Sequence, residues 1–169
     1  LCVCVRVCAC AWVCAHTKAE TALRSAIRSN SESDRSAALA AQAKSHSSIG
    51  HIHFAAGDYA AAAMSYEMRL GISRQLHDAH AIPRALGNLA NAYSRLNDEK
   101  AKLLFEECIE EAEDMEDRHS HYRALAGLQA IYRKRRDLLS LQATTDQLVT
   151  LNSRIVNDNA SRAKFAEEA

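Results

Sequence analysis

The chain is 169 residues long and carries 21 Lys+Arg against 21 Asp+Glu, a balance that excludes the strong positive field by which proteins are drawn to nucleic acid or to anionic membrane surfaces. With 48% hydrophobic and 25% charged residues it can bury a core, whereas 5 Gly, 1 Pro and 5% aromatics are too few turn and strand formers for a sheet-rich protein. Alanine, glutamate, arginine and leucine fill the sequence instead, the residues that lose least entropy in a helix, and the expected fold is all-α.

Residues 1–16 read LCVCVRVCACAWVCAH and contain Cys2, Cys4, Cys8, Cys10 and Cys14; the only other cysteine is Cys108. A translated alternating dinucleotide repeat encodes nearly this peptide, GTG-TGT giving Val-Cys and GCG-TGC giving Ala-Cys. The same stretch has the C-x-C spacing of a soft-metal thiolate site, the apolar character of a secretory leader ending near Ala9-Cys10-Ala11, and the period-two pattern of a strand. Arg6 and the lack of a preceding basic segment count against the leader, and no second strand signal exists for pairing. The segment is therefore set outside the fold, with metal binding by the Cys tract as an alternative function. The apolar run 7–15 falls far short of the ~20 residues that cross a bilayer. The chain opens on Leu1 rather than Met, as a fragment or processed product would. A body without paired cysteines suits a reducing compartment, and the expected location is cytoplasmic.

Residues 17–28 place Ala22, Leu23, Ala26 and Ile27 on one helical face, as expected of the second helix of a truncated preceding repeat. The polar run 29–34 reads as a connection, with Ser31-x-x-Asp34 as a capping box. Residues 17–44 are thus assigned to helix plus linker.

From residue 45 onward the chain repeats itself. A shift of 39 lays Asp78, His80, Arg84, Ala85, Leu86, Leu89 and Tyr93 on Asp117, His119, Arg123, Ala124, Leu125, Leu128 and Tyr132, and continues to Asp98 and Asp137. A shift of 40 finds an upstream copy with Ile49 in place of Leu89 and Gly57-Asp58 in place of Asn97-Asp98. The units are predicted at 45–78, 79–117 and 118–151, followed by a polar helix or tail over 152–169. In the second unit Leu86, Leu89 and Tyr93 stripe a first helix, and Ala101, Leu104, Phe105, Cys108, Ile109, Ala112 and Met115 stripe a second. One such hairpin leaves apolar surface that the next must cover, so the units are predicted to stack as an α-solenoid of antiparallel helix hairpins.

Those residues resemble the tetratricopeptide repeat (TPR) family. Its W-x2-L-G-x2-Y…A-x3-F pattern is matched by Leu86-x2-Leu89-Ala90-x2-Tyr93 with Ala101-x3-Phe105, and by His46-x2-Ile49-Gly50-x2-His53, Gly57-Asp58-Tyr59 and Ala62-x3-Tyr66. The third copy has Leu125-x2-Leu128-Gln129-x2-Tyr132 and a second helix with only Leu138, Leu141, Leu148 and Leu151. The tripeptide Leu86-Gly87-Asn88 and repeats longer than the family's ~34 residues are similar to its Leu-Gly-Asn-rich subgroup.

The resemblance implies a non-enzymatic scaffold or adaptor that holds a partner in a concave groove lined by the first helices, with cytoskeletal association suggested by the subgroup. The family's groove positions fall on Ser47, His51, Arg84, Asn88, Asn91, Arg95, Arg123, Arg133 and Lys134, a basic and amide-rich set suited to a peptide with acidic side chains. Glu106, Glu107, Glu110, Glu111, Glu113, Asp114 and Glu116 fall on a second helix, so charge is expected to be polarised between the faces. The carboxylate clamp of chaperone-binding members would require Lys/Asn/Asn/Lys/Arg where this chain has Ser47, His51, Asn88, Arg123 and Gly127; only Asn88 and Arg123 suit it. A regulatory TPR segment of a larger signalling or enzymatic protein is the alternative. No cofactor is implied, and no phosphate loop, H-E-x-x-H or G-x-S-x-G motif is present. Among the eight histidines, His80 and His119 are repeat equivalents, and capping is the role expected of them.

Overall fold

A computed structural model describes residues 32–167, with residues 17, 18, 20, 21, 24 and 25 upstream, and describes side chains as far as residue 158. The Cys-rich segment 1–16, the face formed by Ala22, Leu23, Ala26 and Ile27, and Ser31 of the expected capping box lie outside the described residues. The described chain is all-helical: α1 (Glu32–Ala55), α2 (Tyr59–Gln75), α3 (Ala81–Tyr93), α4 (Asp98–Asp114), α5 (Arg118–Arg135) and α6 (Leu138–Glu167). Each helix packs on its neighbour in sequence, and α3 also packs on α5. The connections 56–58, 76–80, 94–97, 115–117 and 136–137 are short, as antiparallel neighbours require.

Two boundaries differ from the sequence reading. Helix α1 begins at Glu32, so residues 32–34, expected within the connection 29–34, are helical; Ala38 and Ala43 are buried and give this polar stretch an inner edge. Helix α6 is continuous through 151–152, where a new element was expected, because neither Gly nor Pro occurs there to stop it.

The turns are built from one recurring device. Gly57, His77, Glu116 and Arg136 each adopt positive φ, between 52° and 82°. The aspartate that follows each of them closes a five-residue backbone bond onto the preceding helix: Asp58 to His53, Asp78 to Ser73, Asp117 to Ala112 and Asp137 to Tyr132. This is the Schellman closure, which satisfies carbonyls left open at a helix end. Each carboxylate then accepts the N–H three residues on, at Ala61, Ala81, Ser120 and Ser140, at 3.1–3.2 Å. One Asp thus ends one helix and starts the next. At the remaining turn Asn97, not Asp98, is the cap, accepting from the N–H groups of Glu99 and Lys100. Capping is also not the task of His80 or His119: the aspartates two residues before each do it, having the short acceptor side chain that reaches the helix end.

The core follows the repeat stripe. Ala62, Tyr66, Leu70, Leu86, Leu89, Ala101, Phe105, Cys108, Leu128 and Tyr132 form one buried cluster, with Tyr93, Leu104, Ile109 and Leu141 packed at its edge. Small residues make room for rings: a Cβ on Gly50 would lie 2.3 Å from Tyr66, and one on Gly127 would lie 2.2 Å from Phe105. Both stripe tyrosines reach back to the second helix of the preceding unit, Tyr93 through its hydroxyl to Glu67 at 2.8 Å and Tyr132 under the Lys102 ammonium at 5.7 Å. Cys108 donates its S–H to the Pro83 carbonyl at 3.1 Å, and burial pushes the thiol up to about 12, so it is an inert small hydrophobe. Leu138, expected on the packing stripe, is 73% exposed, while Leu151 is buried.

Candidate functional site

Arg84, Asn88, Asn91 and Arg95 recur at steps of four, three and four, which aligns them along one face of α3 and its exit. Helix α5 lies alongside and sends Arg123 across: its Nη2 donates to Asn88 Oδ1 at 3.3 Å. An open groove of about 690 Å³ runs between these helices, with Asn91, Arg95, Arg123 and Lys134 on its walls and Phe105 and Gly127 on its floor. Four of the nine residues expected from the sequence therefore share one cavity.

Their charges are not equally available. Lys134 Nζ sits 2.7 Å from Asp98 Oδ2 and is matched. Arg95 rests over the Tyr59 ring at 5.9 Å, and Arg123 contacts an amide; neither has a carboxylate within ion-pair distance among the described residues. Two guanidinium groups held only by neutral partners leave the groove with uncompensated positive charge.

Ser47 and His51 belong to a second polar cluster, on α1. Tyr66 OH lies 2.9 Å from His51 Nδ1, and Arg69 Nη1 donates to Ser47 Oγ at 3.1 Å. Burial, then the Arg69 and Arg123 charges, hold His51 below the usual histidine value, so it is neutral at pH 7 and its Nδ1 can accept the Tyr66 proton. Burial pushes Tyr66 up to about 12, which keeps that proton in place.

Arg69 was missed by the sequence reading because second helices were assigned to the outside. The signal was present: Arg69 is the repeat equivalent of Cys108 and stands on the packing stripe three residues after Tyr66. A guanidinium where the next unit has a buried thiol has to turn toward the inner face.

The remaining expected residues lie elsewhere. Asn88 is only 8% exposed and already accepts from Arg123, so its role is to aim that guanidinium. Arg84 stands at the far end of the α3 stripe, its Nε 3.9 Å from Asp117 Oδ2. Arg133 turns to Gln129, whose amide donates to Thr145 of α6 at 2.9 Å, and so lies on the α6 side. On the acidic helix α4, Glu107 pairs with Arg74 and Glu106 with Lys102, so part of that charge is matched; His121, 3.6 Å from Glu113, is held below the usual histidine value by burial and brings no charge at pH 7.

No protein-family model matches the chain, and no curated protein matches it. Among the described residues no group of three His, Cys, Asp or Glu side chains is placed to hold a metal ion, and no helix is long and apolar enough to cross a membrane.

Proposed function

We propose that the chain is a stack of TPR-like helix hairpins that acts as a non-enzymatic scaffold in the cytoplasm, holding a partner peptide with acidic side chains along α3 and α5. Three features support the stack: the shared turn device, the glycine-accommodated rings, and the packing of α3 on α5, which are the first helices of consecutive units. The observation that carries the function is the groove's unmatched pair, Arg95 and Arg123, flanked by Asn91. Guanidinium groups of this kind bind carboxylates through parallel N–H donors, and the side-chain amide of Asn91 can both donate to and accept from a peptide backbone.

Fluorescence polarisation with labelled Glu/Asp-rich peptides tests the reading. The chain is expected to bind such a peptide with an affinity that falls as salt rises. The pair Arg95→Glu and Arg123→Glu is expected to weaken binding by at least about tenfold, while Arg133→Glu leaves it within about twofold. Equal binding by the Arg95/Arg123 variant with unchanged helicity would move the site off this face.

A further inference from the structure

A separate cleft of about 300 Å³ lies between α1, α2 and the start of α3, and its lining includes Lys44, Arg69, Arg84, Asp78 and His80. We propose that this cleft binds a phosphoryl dianion carried by the partner peptide, with Lys44, Arg69 and Arg84 as its ligands. The inference rests on the scaffold reading above and names the chemistry of one end of the ligand.

The charge balance is the first argument. Three cations, Lys44, Arg69 and Arg84, face one carboxylate, Asp78, whose Oδ1 is taken up by the Ala81 N–H. Arg84 also lies 3.9 Å from Asp117 Oδ2, so the three cations meet two carboxylates and the cleft keeps a net positive charge that favours an anionic phosphoryl group. Lys44 and Arg69 have no carboxylate within ion-pair distance among the described residues; the Arg69 guanidinium is half-buried and donates to the neutral Ser47 hydroxyl. Arg84 is close enough to Arg69 to hold its pKa down in addition to the effect of burial, a repulsion that a bound anion relieves. Arg84 is 57% exposed and Lys44 is exposed, so a ligand can reach both. Two planar guanidinium forks and an ammonium offer more donors than one carboxylate takes up, whereas three phosphoryl oxygens use them.

Geometry links the cleft to the groove. Arg84 and Arg95 end the same α3 stripe, and eleven residues at ~1.5 Å each separate them by roughly 16 Å. An extended peptide covers that in about five residues at ~3.3 Å each. The phosphorylated side chain should therefore lie about five positions from the acidic side chain that Arg95 and Arg123 take.

The probe is inorganic phosphate, titrated into the full chain at constant ionic strength and followed by amide NMR. Saturable shifts confined to Ala81–Arg84 and to the Arg69 side chain are expected, weakened about tenfold in Arg69→Gln and also in Lys44→Gln. The exposed Lys44 position keeps the test valid if Arg69→Gln unfolds. Non-saturating or scattered shifts, or undiminished binding by folded Lys44→Gln, would overturn the proposal. In a second arm, a peptide with phosphoserine five residues from glutamate is expected to bind at least about tenfold more tightly than free phosphate; equal affinity would rule out the peptide as the source. If phosphate fails while unphosphorylated acidic peptide still binds and is lost in the Arg95/Arg123 variant, the cleft falls and the groove stands.

Discussion

Gly127 of α5 lies directly against the Phe105 ring of α4. A Cβ at 127 would meet the ring at 2.2 Å, well inside any tolerable approach, and the ring is 1% exposed, with nowhere to go. Gly127→Ala should therefore cost about 1–3 kcal/mol in denaturant unfolding, and combining it with Phe105→Leu should recover part of that loss because the two changes share one space. Glu116 presents the opposite case, a side chain held at φ 53° where glycine pays no Cβ penalty. Glu116→Gly is expected to gain about 0.5–1 kcal/mol net of the extra chain entropy, read as a melting temperature higher by about 2 °C. The strain at residue 116 was invisible in the sequence, since an acidic residue in a charged run reads as a solvated helix position. Gly57-Asp58 was legible as a turn because glycine announces positive φ.

At the scale of the helix, the capping aspartates couple two elements through one side chain. Asp117 closes α4 and caps α5; its carboxylate also accepts the Ser120 hydroxyl at 2.8 Å and lies near Arg84. Burial would raise its pKa, but the hydrogen bonds from Ser120 and the Arg84 charge outweigh that and hold it below the ordinary 3.8. A carboxylate depressed in the folded state contributes stability that is complete above its unfolded pKa and lost as pH falls through the folded one. Unfolding stability should accordingly decline below about pH 4, and Asp117→Ala should flatten that acid limb while costing about 1 kcal/mol at neutral pH. An acid limb unchanged by the substitution would assign the pH dependence to other carboxylates. The elements themselves were legible from spacing, because apolar residues at steps of three and four mark a buried helical stripe. The buried face of α1 from Ala38 to His46 was not, because alanine, serine and histidine produce little apolar contrast.

Across the molecule, each helix packs mainly on its sequence neighbours, so stability should be graded along the chain rather than uniform. Helices α2 to α5 have neighbours on both sides and supply the buried core cluster, whereas α6 packs on α5 and leaves Leu138, Leu139, Val149 and Val156 exposed. Hydrogen exchange is expected to be slowest in α2–α5 and fastest in α6. Phe105→Ala should destabilise the whole array by about 3–5 kcal/mol, and Leu151→Ala should loosen α6 alone. Uniform exchange across all six helices would contradict a neighbour-by-neighbour assembly.

The sequence by itself determined that the described chain is helical and which apolar stripes supply most of its core. These are matters of local spacing and short-range capping. The family resemblance put Asn91, Arg95, Arg123 and Lys134 among nine expected groove positions, and these four line one cavity. Only the tertiary structure decided which charges are free: Lys134 is matched by Asp98, Arg84 lies near Asp117, and Asn88 is withdrawn behind Arg123. It alone brought Arg69 and Lys44 together with Arg84 in one cleft, because those three sit on different helices with no shared spacing. Periodicity encodes the direction a side chain faces, whereas the partner that neutralises a charge is set by how one helix lies against the next.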